Sequence, residues 1–216
     1  MFSLTAKRKD VIRWHGVDIK VNLSFDNVLL LFDLFTNDEI SQHMKLDIAA
    51  EMLVYDIEIL KALEPKRRLE LTMDILKEKL GMKFDDPVNK EPADIMEVEI
   101  PFYDFEEDAE YIFASFLMDY GVNLIEEQGK LSWEEFIVLF KNLSDETPMK
   151  QAIKYRTCEV PKKTKDNGDE VRHIRKMKEK YMLKKAQPII EAKQQAIHQK
   201  QLELRKEQMR KKRGVK

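Results

Sequence analysis

The sequence predicts a mainly α fold: a multi-helix body with a small N-terminal β-hairpin and a long charged C-terminal helix. Three observations lead there. Apolar residues recur at steps of three and four along most of the chain. Charged residues make up 36% and apolar ones 43%, a composition with helix-rich leanings. Period-two alternation is confined to one short stretch near the start.

Charge divides the chain. Residues 162–216 hold 19 Lys and Arg against 7 Asp and Glu, a net +12, whereas residues 1–161 hold 19 against 33, a net −14. An acidic helical body over 1–161 and a linker with a basic helical tail over 162–216 follow from that contrast. The single cysteine, Cys158, excludes an internal disulfide and suits a reducing compartment. The opening residues have no apolar stretch of signal-peptide length, and no run reaches the ~18 apolar residues of a membrane helix, so a cytoplasmic protein is expected.

Residues 11–21, VIRWHGVDIKV, alternate on both sides of His15-Gly16 and predict the hairpin, with Ile12, Trp14, Val17, Ile19 and Val21 on one face. The period then changes. Ser24 is placed to cap a helix whose stripe is Phe25, Val28, Leu29, Phe32 and Phe35. Met44, Ile48, Met52, Ile59 and Leu63 predict further helix from 41 to 63, in one piece or two. Pro65 suits the first turn of the next helix and Gly81 its end, with Leu69, Met73, Leu76 and Leu80 between them. Prolines 87, 92 and 101 make 82–101 a loop between two helical halves.

In the second half, Asp104, Glu106, Glu107, Asp108 and Glu110 stand where a helix dipole favours negative charge, and Gly121 ends that helix. Phe105, Ile112, Phe116 and Tyr120 would form its inner face, widened by Phe113 and Leu117. Ser132 and Glu135 form the S-x-x-E of a capping box for a helix bearing Phe136, Ile137, Leu139, Phe140 and Leu143. Thr147 and Pro148 open one more helix. From Glu170 to Arg213 good helix formers predominate. Leu183, Ile190, Ile197 and Leu204 fall seven apart, half of a coiled-coil seam, and Pro188 predicts a kink.

Chemistry is sparse. GKLSWEEF at 129–136 has the glycine and final glutamate of a calcium-binding loop, yet that register puts Leu124, which has no side-chain oxygen, at the first ligand position. His15, His43, His173 and His198 lie at no metal-ligand spacing, and no phosphate-cradling glycine motif occurs. No catalytic residue, cofactor site or metal site is assigned, and a non-enzymatic protein is expected. The basic tail could neutralise phosphates, but only Tyr181 offers a stacking ring there. Contact with the acidic body, an acidic protein partner or solvation is favoured over nucleic acid.

Asp104, Glu106, Asp108, Ala109, Ile112, Ala114, Ser115 and Phe116, followed by Tyr120-Gly121, Leu124, the L-x-W-x-x-F of Leu131, Trp133 and Phe136, and then Thr147 and Ile153, resemble the bacteriophage gene-product-fifteen family. Trp14, Ile19, Val21, Asn22, Ser24, Phe25, Val28 and Leu29 resemble its start. The resemblance implies a tail assembly chaperone of long-tailed phages and prophages of Gram-positive bacteria. Its implied partner is the tape measure protein, bound through amphipathic helical segments, with the tail tube protein and a second copy of the chain as further candidates. It would act in the host cytoplasm and be absent from the mature virion. A structural virion component at the head–tail joint or tail, or a nucleic-acid-binding protein acting through the tail, remain the alternatives. The motif residues Trp14, Asp108, Ala109, Ser115, Phe116, Tyr120, Gly121, Trp133 and Phe136 are either structural or partner-binding on this reading. The family brings no catalytic residues.

Overall fold

The structure, a computed structural model, describes residues 10–82 and 94–213, with side chains to 209. Most of the 82–101 loop, residues 83–93, therefore lies outside the described residues. The described elements are mainly helical, with one two-stranded antiparallel hairpin and a long C-terminal helix. The chain divides into two compact units, 1–87 with 116–143 and 88–115 with 144–216. Residues 162–216 thus share a unit with 88–115 and 144–161.

In the first unit, β1 (Val11–Trp14) pairs with β2 (Val17–Lys20), placing Ile12 opposite Ile19 and Trp14 opposite Val17. His15 and Gly16 both have positive φ, 47° and 84°, the pattern of a two-residue type I′ turn. Ile12, Trp14, Ile19 and Val21 are buried as the alternation predicts. Val17, beside the turn at the closed end of the ribbon, is exposed. Trp14 Nε1 donates to Asp74 Oδ2 at 3.1 Å, giving the buried indole its polar partner.

Helices α1 (Phe25–Thr36), α2 (Gln42–Leu53), α3 (Ile57–Ala62) and α4 (Pro65–Leu80) complete the unit's main core with the hairpin. The stretch 41–63 is therefore two helices. The inner faces are rotated from the predicted stripes. α1 buries Phe25, Asn27, Val28 and Leu31; α2 buries Lys45, Ala49, Ala50 and Leu53 and exposes Met44; α4 buries Leu71, Thr72, Ile75 and Leu76. Small and polar side chains explain the rotation. Ala49 and Ala50 let α2 approach its neighbours closely, and Thr72 returns its hydroxyl to the Arg68 carbonyl at 2.8 Å. Asn27 Nδ2 donates to the carbonyls of Asn22 and Met52, so its amide is satisfied between α1 and α2. Lys45 Nζ reaches the Phe35 carbonyl at 2.8 Å, a cation at the C-terminal end of α1. Ser24 stands at the N-cap position of α1 without a side-chain capping bond, since its hydroxyl donates to Asn22 Oδ1.

The two ends of α5 (Ala109–Tyr120) belong to different units, the division falling between Ser115 and Phe116. Gly121 ends it at φ 63°, a left-handed conformation that costs a non-glycine residue roughly 1–2 kcal/mol. α6 (Trp133–Lys141) begins with the predicted capping box: Ser132 Oγ accepts from Glu135 N at 3.2 Å while Glu135 Oε2 accepts from Ser132 N at 3.0 Å. Ser132→Ala is expected to cost about 1 kcal/mol, read as a shift in urea midpoint.

The second unit contains a 3-10 turn (Ile95–Glu97), α7 (Pro148–Thr157), α8 (Gly168–Lys180) and α9 (Gln187–Arg213). The predicted single kinked tail helix is instead two helices separated by residues 181–186. Pro188 produces no kink: it sits in the first turn of α9, where its missing N–H has no helical acceptor to lose.

Candidate functional site

Among the described residues, a buried ion pair fastens the second unit. Arg156, in the last turn of α7, donates from Nη1 and Nη2 to Asp108 Oδ2 and Oδ1 at 2.6 and 2.7 Å, and the two side chains are 9% and 1% exposed. Two further donors are used, Nε donating to the Tyr181 carbonyl and Nη1 to the Phe102 carbonyl. Asp108 Oδ2 further accepts from Asp104 N at 3.0 Å. One guanidinium therefore ties the turn entering α5, the end of α7 and the residue following α8. Lys178 on α8 reinforces the same corner, its Nζ meeting the carbonyls of Tyr155, Arg156 and Cys158 at 3.1, 2.9 and 2.6 Å. These carbonyls include the open C-terminal end of α7, where a cation is favoured.

The carboxylates at 104–108 do not line the first turn of a helix as predicted. α5 starts only at Ala109, and the acidic residues form a turn that holds the chain leading into α9. Glu107 accepts from the backbone N–H groups of Lys184 and Lys185 at 2.7 and 2.9 Å, and Lys185 Nζ reaches Asp104 and Glu106 at 2.9 and 3.1 Å. Partial burial pushes the Asp104 carboxyl up, but donors from Glu107 N, Lys185 and Glu106 N outweigh it and hold the group below its ordinary 3.8. The hydrogen bond to Asp104 lifts Lys185 above its ordinary 10.5, against the downward pull of burial. Asp104 therefore stabilises the fold above its ordinary value, and that contribution is lost as pH falls through the lowered folded value. Lys185 stabilises below its ordinary value, and its contribution is lost as pH rises through the raised one. The melting-temperature difference between wild type and Lys185→Met is expected to be constant near neutrality and to close in acid below 3.8 and in base above 10.5. With Lys185 52% exposed, the effect should stay under about 1 kcal/mol.

Ser115, buried in α5, donates from Oγ to the Tyr111 carbonyl at 2.6 Å and accepts from Met149 N at 3.0 Å. It thereby caps α7 from a distance, while Thr147, the residue at the cap position, turns its hydroxyl to the Ser144 carbonyl at 2.7 Å.

In the first unit, Phe136 lies at the centre of an aromatic stack. Phe25 and Phe116 lie nearly parallel to it at centroid distances of 5.0 and 5.1 Å, with Trp133 and Phe140 at 5.7 and 6.2 Å. Trp133 also meets Phe32 edge-on at 5.3 Å. The stack is aligned by backbone: Phe25 N donates to the Leu131 carbonyl and Trp133 N to the Leu23 carbonyl, a one-residue antiparallel bridge between Ser24 and Ser132. The Gly129 N–H is taken by Asp26 Oδ1 at 2.9 Å, and Leu124 is buried. GKLSWEEF is thus a helix start seated on the start of α1. Tyr120 passes its hydroxyl to the Leu139 carbonyl at 3.0 Å, and burial, with Asp119 nearby, raises its phenol above 10.0.

The candidate motif residues fall on these structures. Trp14, Phe116, Tyr120, Trp133 and Phe136 belong to the first unit's packing, Asp108 and Ser115 to the second unit's hydrogen bonds, and Gly121 to the end of α5; Ala109 is an exposed first residue of α5. Leu117, expected on the inner face of α5, is exposed, and buried Ser115 occupies that face instead. Arg156, Lys178, Lys185 and Lys45 were not singled out by the sequence, where each is one more basic residue among 38.

The sequence pattern of the family described as Bacteriophage Gp15 protein matches residues 9–183. The chain belongs to this family. The match takes in the hairpin, both halves of the Ser24–Ser132 bridge, the Asp108–Arg156 pair and α8, and ends before α9. No curated protein and no solved structure matches the Gp15-family chain. Among the described residues, no helix is long and apolar enough to cross a membrane.

Proposed function

We propose that this Gp15-family protein is a non-enzymatic tail assembly chaperone that binds the tape measure protein of its phage or prophage in the host cytoplasm and leaves before the virion is complete. The observation that carries the reading is membership of a bacteriophage family across residues 9–183. The side-chain chemistry supports a binding role. Exposed apolar residues on α9, Ile197, Leu202, Leu204 and Met209, offer a surface to amphipathic helices.

Co-expression tests the proposal. The tape measure protein should be soluble and co-purify with the chain, and it should aggregate when expressed alone. Mass spectrometry of purified virions should find the tape measure protein and not this chain. Recovery of the chain in stoichiometric amounts from finished particles would instead establish a structural virion component.

A further inference from the structure

We infer that the distal part of α9, residues 197–209, is a docking helix for an acidic amphipathic helix of another protein; the inference deepens the proposed function and rests on it. The first turns of α9 pack against the 3-10 turn Ile95–Glu97. There Ile189, Ile190, Ala192, Lys193 and Ala196 are half-buried, and Lys193 Nζ donates to the Met96 carbonyl at 3.0 Å. The line that begins at Ile190 continues at seven-residue steps through Ile197 and Leu204. From 197 to 209, however, every residue is exposed, Ile197 by 43% and Leu204 by 51%. Aliphatic side chains seven apart are the spacing by which one helix winds along another. Leu202 and Met209 repeat the step on the far side of the helix, since residues follow one another by about 100°.

Charge selects the occupant. Residues 197–213 contain seven Lys and Arg against Glu203 and Glu207. A second copy of α9 laid along the first would bring Lys200 and Arg205, which flank the Ile197–Leu204 line, against like charges. A nucleic acid would use those cations and leave Ile197 and Leu204 in water. An acidic helix with its own apolar line covers the ridge and neutralises its flanks together.

The test titrates the full-length chain with two synthetic helical peptides, each with leucine at the first and fourth heptad positions, one flanked by glutamates and the other by lysines. The acidic peptide should bind more tightly by about tenfold or more, with affinity falling as salt rises. Ile197→Ala/Leu204→Ala, which alters only exposed positions and should leave the circular dichroism spectrum unchanged, should weaken acidic-peptide binding by about tenfold or more. Equal binding of both peptides, or of wild type and variant, overturns the inference. So does self-association of the chain alone that the variant abolishes, because the occupant is then a second copy. So does duplex DNA displacing the acidic peptide from wild type and variant alike. Co-expression with the tape measure protein separates the two levels. If wild type and variant solubilise it equally, the docking helix is wrong and the chaperone reading stands; if neither does while the acidic peptide still binds wild type selectively, the chaperone reading fails and the docking helix stands.

Discussion

Asp108→Ala is expected to destabilise the second unit by about 3–5 kcal/mol, because it leaves the Arg156 guanidinium buried without its counter-charge. In thermal melts that is a fall of roughly 6–20 °C for a chain of this size. Arg156→Ala should cost a similar amount, stranding Asp108 and releasing the carbonyls of Phe102 and Tyr181. The double variant should be far less damaging than the sum of the two, since the second substitution removes the charge that the first had orphaned. Glu106→Ala is the internal control: its side chain is 73% exposed and its contact with Lys185 is at the surface, so a change of about 0–1 kcal/mol is expected. If Asp108→Ala and Glu106→Ala shift the melt equally, the ion pair does not hold the unit together.

The same pair shows where sequence reasoning stopped. Asp108 was legible as a motif position and as a carboxylate near a helix start, both local properties. That it is buried depends on Arg156, 48 residues away, and nothing in the spacing of either residue signals the other. Local chemistry was read well elsewhere. Pro65, Gly81, Gly121 and the Ser132–Glu135 box act within a turn or two of chain, and their consequences stand where the pattern placed them. The inner faces of α1, α2 and α4 were rotated because hydropathy assigns Met44 inward and Lys45 outward, whereas the fold buries Lys45 to cap α1 and leaves Met44 in water. The break at 181–186 was missed for a related reason. Its residues form helices readily, and it is the carboxylate of Glu107 and the guanidinium of Arg156 that draw their backbone out of one. Whether the motif residues are structural or partner-binding also turns on such contacts.

Phe136→Ala should destabilise the first unit by about 3–5 kcal/mol, the usual cost of emptying a buried phenylalanine site. Phe136 is 1% exposed and touches rings from α1, α5 and its own helix, so no single neighbour can fill the space. Phe136→Leu should recover much of the loss by restoring volume while forgoing ring stacking. Urea melts followed by Trp133 fluorescence would read both, because the indole stacks on the same ring. The series also separates two explanations of the family motif. On the proposed chaperone function, if Phe136 serves packing, stability and tape measure solubilisation should decline together from wild type through leucine to alanine, and stabilising the fold elsewhere should recover both. If the alanine variant keeps its urea midpoint and loses only the partner, the ring must become exposed to make that contact, and the motif marks a binding surface rather than a core.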